Sequence, residues 1–492
     1  MKDFKIKHIP LFLIFGIMLC SCNNESKLEG FSVAKIFGDN MVLQQESTVP
    51  VWGKGYPGEL VRVEASWDQI VETQVDTNGD WEVVLKTPSH DGFPKNINLI
   101  SKGQIISFKD VLLGEVWLAS GQSNMEWPMA ARIDNQRDEI LNANYSDIRF
   151  FKSPLNLNNN ELKGGYWEKV NSESVKNFSA VGYFFAQKIR LELNVPVGII
   201  VSAWGGTRVE AWTSLEKLAQ MTPSSKEALE IKAAKLPGDF EENLLTQNDS
   251  TIRENVKRGK VENNPNQYSI LFETMIKPLI PFRIKGVLWY QGESNVSNFQ
   301  DYQTLFSGMI SDWRDKWNAD LPFHFVQIAP YKYDSMSLSQ ALREAQRKTL
   351  YVKNTGMAIT MDIGEERDIH PANKQDVGHR LARLALVNNY NFSDRVATGP
   401  LFKNKKLFPK YIDLSFEYIG DGLVKKNHLE GFEIAAANGI FFKANATIVG
   451  DYIRVESSKV KNPQRVRYAW KNYFSATLFN SEGLPASSFD TN

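Results

Sequence analysis

The chain has 492 residues, with 57 basic side chains against 57 acidic ones. That length predicts two to four domains with room for large cores. The balanced charge argues against a protein built to bind nucleic acid or acidic polymers, which carries a basic surplus. Aromatic residues are abundant (12 Trp, 16 Tyr and 29 Phe). They suit β-structure and sugar-stacking surfaces, as well as ordinary core packing.

Lys2, Lys5 and Lys7 precede an apolar run from Ile9 to Leu19. The run is too short to span a bilayer and has the layout of a secretory leader. Leu19-Cys20-Ser21-Cys22 at its end resembles a bacterial lipobox. The expectation is a signal over residues 1–22, a mature chain starting at a lipidated Cys22, and anchoring to a bacterial cell envelope. Cys20 and Cys22 are the only two cysteines. The mature protein then has no disulfide, thiol nucleophile or thiolate metal site, although the compartment permits disulfides.

Residues 31–108 read as a small β-sandwich. Alternation and Gly/Pro turns mark "VPVWGKGYPGELVRVEASW" and "GDWEVVLKTP", with a turn at Asn78-Gly79-Asp80. From 109 to 398 the expectation is a three-layer α/β domain with a parallel sheet. Strands are predicted near 115–119, 197–203, 285–290, 322–329 and 356–362, alternating with helices at 180–193, 299–317 and 338–352. The charged stretch 225–265 reads as a helical or partly mobile excursion, either a solvated surface insertion or a lid over the site. Residues 400–490 return to β character, as a second module or as the other half of the first.

The loops after four of the five predicted α/β strands are unusual. Gly121-Gln122-Ser123-Asn124 follows the first, and Gly205-Gly206 the second. Gln291-Gly292-Glu293-Ser294-Asn295 follows the third, and "GEERDIHPANK" the last. In a parallel sheet these loops share the carboxyl edge, where ligands bind. Together they supply a hydroxyl, an imidazole, a carboxylate, glycine amides and side-chain amides. Those groups suit acyl transfer: Ser123 as nucleophile needs an adjacent base, and His370 can supply one. A carboxylate orients the imidazole, and amide N–H groups bind the oxyanion. Each element alone has a plainer reading, such as a helix cap or a simple turn.

The six histidines narrow the choice. His8 belongs to the leader, and His90 and His428 to the β regions. His324 reads as a packed strand residue. His379 falls opposite the Val377, Leu381 and Leu384 face of its helix and reads as surface. His370 alone sits in a polar loop after a strand.

At these residues the chain resembles the sialate O-acetylesterases, within the SGNH-hydrolase superfamily. The matching stretches are "GDNMVLQQ", "GEVWLASGQSNMEWPM", "SAWGGTRVEAWT", "GVLWYQGESN", "DIHPANKQDVGHRLA" and "VRYAWKN". The resemblance implies an SGNH domain flanked by β-sandwich regions and metal-free, cofactor-free hydrolysis of sugar acetyl esters. Acetylated sialic acid is the first expected substrate, and acetylated xylan the alternative. It makes Ser123 the nucleophile, His370 the base, and Gly206 with the Ser123 amide oxyanion donors. Gln291 or Asn295 would add a side-chain donor. The usual acid three residues before the histidine is Arg367 here, so Asp368, Glu366 or a backbone carbonyl would orient His370. Arg208, Arg343 and Trp127 are candidate substrate contacts, the arginines for a carboxylate. A reading from another class is a non-catalytic glycan-binding lipoprotein.

Overall fold

Strand β1, Gln104–Gly121, runs through two environments. Its first half pairs antiparallel with Lys95–Ser101, and its second half is flanked by parallel strands. The computed structural model describes residues 30–157, 162, 164–221, 264–334 and 336–492. The expected leader, Cys22 and nearly all of the 225–265 stretch therefore lie outside the described residues. Among the described residues, no helix is long and apolar enough to cross a membrane.

The central sheet adds β2 (Asn144–Lys152), β3 (Trp167–Asn171), β4 (Val197–Ala203), β5 (Gly286–Tyr290), β6 (Phe323–Val326) and β7 (Thr355–Ala358). Its order is β3-β2-β4-β1-β5-β6-β7, parallel except for β3. From Val111 to Gly121 every residue of β1 is buried, as expected of a strand covered on both faces. Side chains alternate. Trp117 and Ala119 join one core with helices α2 (Ala180–Leu193) and α5 (Lys374–Asn389). Val116 and Leu118 join the other with α3 (Phe299–Trp317) and α4 (Ser339–Thr349). The Ser179 hydroxyl caps α2 by accepting from the Gly182 N–H at 3.0 Å.

Two strands escape the sequence reading. In β2 the apolar run Ile148–Phe151 is broken by Arg149, which looks like a surface residue. Arg149 is instead 2% exposed and donates to the carbonyls of Asn40, Asp110 and Ser146 and to the Asp110 carboxylate. β3 pairs with β2 as the antiparallel edge. His379 is also corrected: it is half-buried, its ring 6.1 Å from that of Phe184 and nearly perpendicular to it.

The N-terminal region forms antiparallel layers. One is Ser32–Val33, Ser47–Lys54 and Asp80–Thr87; the other is Leu60–Ala65, Gln69–Gln74 and Lys95–Ser101, continued into β1. The boundary expected at 108/109 thus falls inside one strand. The 76–80 turn forms as its sequence suggests: Asp76 Oδ1 accepts from the Asn78 and Asp80 amides, and Gly79 has φ +81°. The C-terminal strands make their own sheets, two of four strands and one of two, and pair with no N-terminal strand among the described residues.

Strand β4 ends with Ala203 opposite Gly121, and β5 ends with Tyr290 opposite Gly121. Gly121 has φ +133°, and a Cβ there would lie 2.2 Å from the Tyr290 carbonyl oxygen. Gly121→Ala is expected to destabilise the fold by about 3 kcal/mol or more, from overpacking plus backbone strain. Urea unfolding should show a lower midpoint at an unchanged slope.

Candidate active site

β1 is interrupted by serine, glycine and amides because its neighbours stop with it. Just beyond Gly121 the chain turns into α1, Ser123–Glu126, a single helical turn that puts Ser123 at the shared strand edge. One turn cannot hold itself. Its supports are tertiary: Met125 is fully buried, Ser179 Oγ donates to the Met125 carbonyl, and Glu126 accepts from the Gly205 N–H at 2.9 Å. Gly205 packs on the serine; a Cβ there would lie 3.3 Å from Ser123 Cβ.

Ser123 and His370 are 247 positions apart, yet Ser123 Oγ lies 2.9 Å from His370 Nε2. The hydroxyl donates when that nitrogen is unprotonated. Trp127 stacks on the imidazole, with ring centres 4.3 Å apart and planes 16° apart. Burial, and then the charge of Lys374, push the His370 pKa below its ordinary value against the pull of Asp368.

Asp368 is close to His370 without bonding its ring. Its Oδ1 is 3.8 Å from His370 Nδ1, beyond hydrogen-bond range, and accepts instead from the His370 backbone N–H at 2.8 Å. Its Oδ2 pairs with Arg132, which also holds Glu365 and the His370 carbonyl. Glu366 pairs with Lys332.

Gly206, φ +74°, is exposed, and a side chain there would meet nothing within 4 Å among the described residues. Neither its N–H nor that of Ser123 has a backbone acceptor among the described residues. Asn266 staples this loop, donating to the Gly206 carbonyl and accepting from the Arg208 N–H. Arg208 is exposed and pairs with no carboxylate among the described residues.

Three expectations are corrected. The Gln291 Nε2 hydrogens go to the Thr207 carbonyl and to Asn295 Oδ1. Those of Asn295 Nδ2 go to Glu210 and Asn298. Both amides are fully buried, with no hydrogen left for an oxyanion; they brace the Gly206 loop from behind. Arg343 is also fully buried. It donates to the Lys471 and Asn472 carbonyls and to the Ser339 and Ser488 hydroxyls, tying α4 to the C-terminal module. His324 is packed as expected: it bonds Asn389 at 2.7 Å, and burial lowers its pKa to about 4.

Sequence reasoning missed Lys374, Asn124 and Glu293. Lys374 is 1% exposed, and its ammonium donates to Asn124 Oδ1. Asn124 Nδ2 donates to Glu293 Oε1 at 2.6 Å and to the Ile369 carbonyl at 3.0 Å. The available signal was a lysine opening a helix, against the preference of the helix dipole. Among the described residues, no group of three or more His, Cys, Asp or Glu is placed to hold a metal ion.

A family model described as a carbohydrate esterase, sialic acid-specific acetylesterase, matches residues 250–387. The sialate O-acetylesterase of Homo sapiens is 30% identical over 454 residues, covering 83% of this chain and 80% of that protein. The Mus musculus sialate O-acetylesterase is 28% identical and covers 97% of each. A crystal structure of a carbohydrate acetylesterase from Xanthomonas citri is similar with a TM-score of 0.81. It is 33% identical and covers 94% of this chain and 99% of that one.

Arg343→Met should strand the two carbonyls, costing about 1–3 kcal/mol for each left without a donor. Chemical denaturation should show that loss, while the apparent affinity of the folded variant for an ester substrate stays at the wild-type value.

Proposed function

Because this chain belongs to the sialate O-acetylesterase family, it is a carboxylic ester hydrolase of O-acetylated carbohydrate, and we propose that it removes 9-O-acetyl groups from sialic acids through an acyl-enzyme. The observation that carries this reading is the 2.9 Å approach of Ser123 Oγ to His370 Nε2.

In the proposed mechanism Ser123 Oγ attacks the acetyl carbonyl while His370 Nε2 takes its proton. The Ser123 and Gly206 N–H groups receive the oxyanion. The tetrahedral intermediate collapses as His370 returns the proton to the sugar oxygen, leaving acetyl on Ser123. Water, deprotonated by His370, then attacks the acetyl carbon; the bond to Ser123 Oγ breaks, acetate leaves, and His370 returns the proton to Ser123 Oγ. Asp368 acts on the imidazole through its loop, holding the backbone N–H of His370 and adding a negative charge nearby. The same reading assigns the domain to the SGNH hydrolases, with Trp127 fixing the imidazole plane.

The substrate proposal rests on Arg208, an exposed guanidinium two residues from Gly206, suited to a sugar carboxylate. Acetylated xylan remains the second reading, since a fold does not fix its substrate. Lipid attachment at Cys22, in a bacterial envelope, is supported by the leader sequence alone.

Ser123→Ala should lower turnover of p-nitrophenyl acetate by about 10⁴-fold or more without changing the melting temperature. Wild-type activity in that variant would end the esterase reading of this site. Acetate release should be faster from 9-O-acetyl sialic acid than from acetyl-xylan. Arg208→Ala should raise KM about tenfold for the acidic sugar and leave it unchanged for a neutral acetylated one. Equal effects on both would remove the carboxylate contact. Cys22→Ala should shift the protein from the membrane to the soluble fraction.

A further inference from the structure

We infer, on the esterase reading above, that Lys374 is a positioning residue for the Ser123–His370 pair, acting through Asn124 and through the field its ammonium places on the imidazole.

The geometry is a three-way tie. Lys374 opens α5, four residues after His370. Its Nζ donates to Asn124 Oδ1, and Asn124 is itself 1% exposed. The two hydrogens of the Asn124 amide go to Glu293 and to the Ile369 carbonyl. Asn124 adjoins Ser123, Ile369 adjoins His370, and Glu293 lies in the loop after β5. One buried amide therefore joins the loop of the hydroxyl to the loop of the imidazole, and Lys374 fixes its orientation.

A neutral donor could satisfy Asn124 Oδ1 at lower cost. An ammonium out of water is expensive, and the positive end of a helix dipole makes it more so. The groups facing it account for its retention. Glu293, Asp368 and Glu365 attract it, and Arg132 repels it. The Trp127 and Tyr290 rings lie 5.8 and 5.9 Å from Nζ. Burial brings the amine down to about 7, so it carries its charge on the acid side of neutrality. There the charge disfavours imidazolium, and His370 stays neutral and able to accept the serine proton at lower pH. At the far end Glu293 Oε2 is buried with no hydrogen-bond partner among the described residues, so this end of the tie depends on the Asn124 bond.

The test compares Lys374→Met, Lys374→Arg and Asn124→Ala with wild type on p-nitrophenyl acetate, across pH, with melting temperatures as the check on folding. In Lys374→Met, kcat should fall about 10²-fold, as for a small misplacement of reacting groups, while KM changes less than about twofold. Removing the charge should move the acid limb of kcat/KM to higher pH, and Lys374→Arg should bring it back toward wild type. A folded Lys374→Met with wild-type kcat and an unmoved acid limb would overturn the inference. If Lys374→Met does not fold, Asn124→Ala decides: lower kcat at constant KM supports the tie, and wild-type kcat refutes it. Ser123→Ala, run alongside, separates failure of this inference from failure of the esterase reading.

Discussion

The site depends on three parallel strands stopping level. β4, β1 and β5 all end at the line through Gly121, so the loops that follow leave the sheet together. At that line the backbones are too crowded for any side chain on residue 121. Glycine there is a condition for the register, and the register places Ser123 where a loop from the far end of the α/β domain can reach it. The helical turn bearing Ser123 then borrows its rigidity from Met125, Ser179, Glu126 and Asn124, each anchored to a different part of the fold.

Buried cations mark the places where separate parts of the molecule are joined. Arg149 gathers carbonyls from the N-terminal region and the start of β2. Arg343 gathers carbonyls near residue 471 onto α4. Lys374 gathers two loops of the site through one amide. An ion loses several kcal/mol on leaving water, so it persists only where several acceptors or opposite charges meet it. The arginines find neutral carbonyls and, for Arg149, one carboxylate. Lys374 faces carboxylates and an imidazole, which gives its charge a chemical consequence that the arginines lack.

The amides that resembled oxyanion donors serve a different end. Gln291 and Asn295 spend their hydrogens on the Gly206 loop and its neighbours, so their influence on the reacting centre passes through backbone position. Trp127 and Asn266 likewise shape the rim, one by stacking on the imidazole and the other by fastening Gly206 and Arg208.

Much of this was legible along the chain. Apolar spacing located helices α2 and α3 to the residue, although α2 is buried all round its first two turns. The polar interruptions after buried strands identified Ser123 and His370, because strand order alone sends those loops to one edge. Arg149 hid β2, since a pattern of residue types marks arginine as surface whatever carbonyls await it. Lys374 was hidden the same way, and Gln291, Asn295 and Arg343 misled for the opposite reason: polar side chains near a site look available. The sequence by itself determined which chemical groups are present and the edge at which they emerge. The tertiary structure alone decided which of their hydrogens remain free, because a donor is spent or spared only by the acceptors that folding brings within about 3 Å.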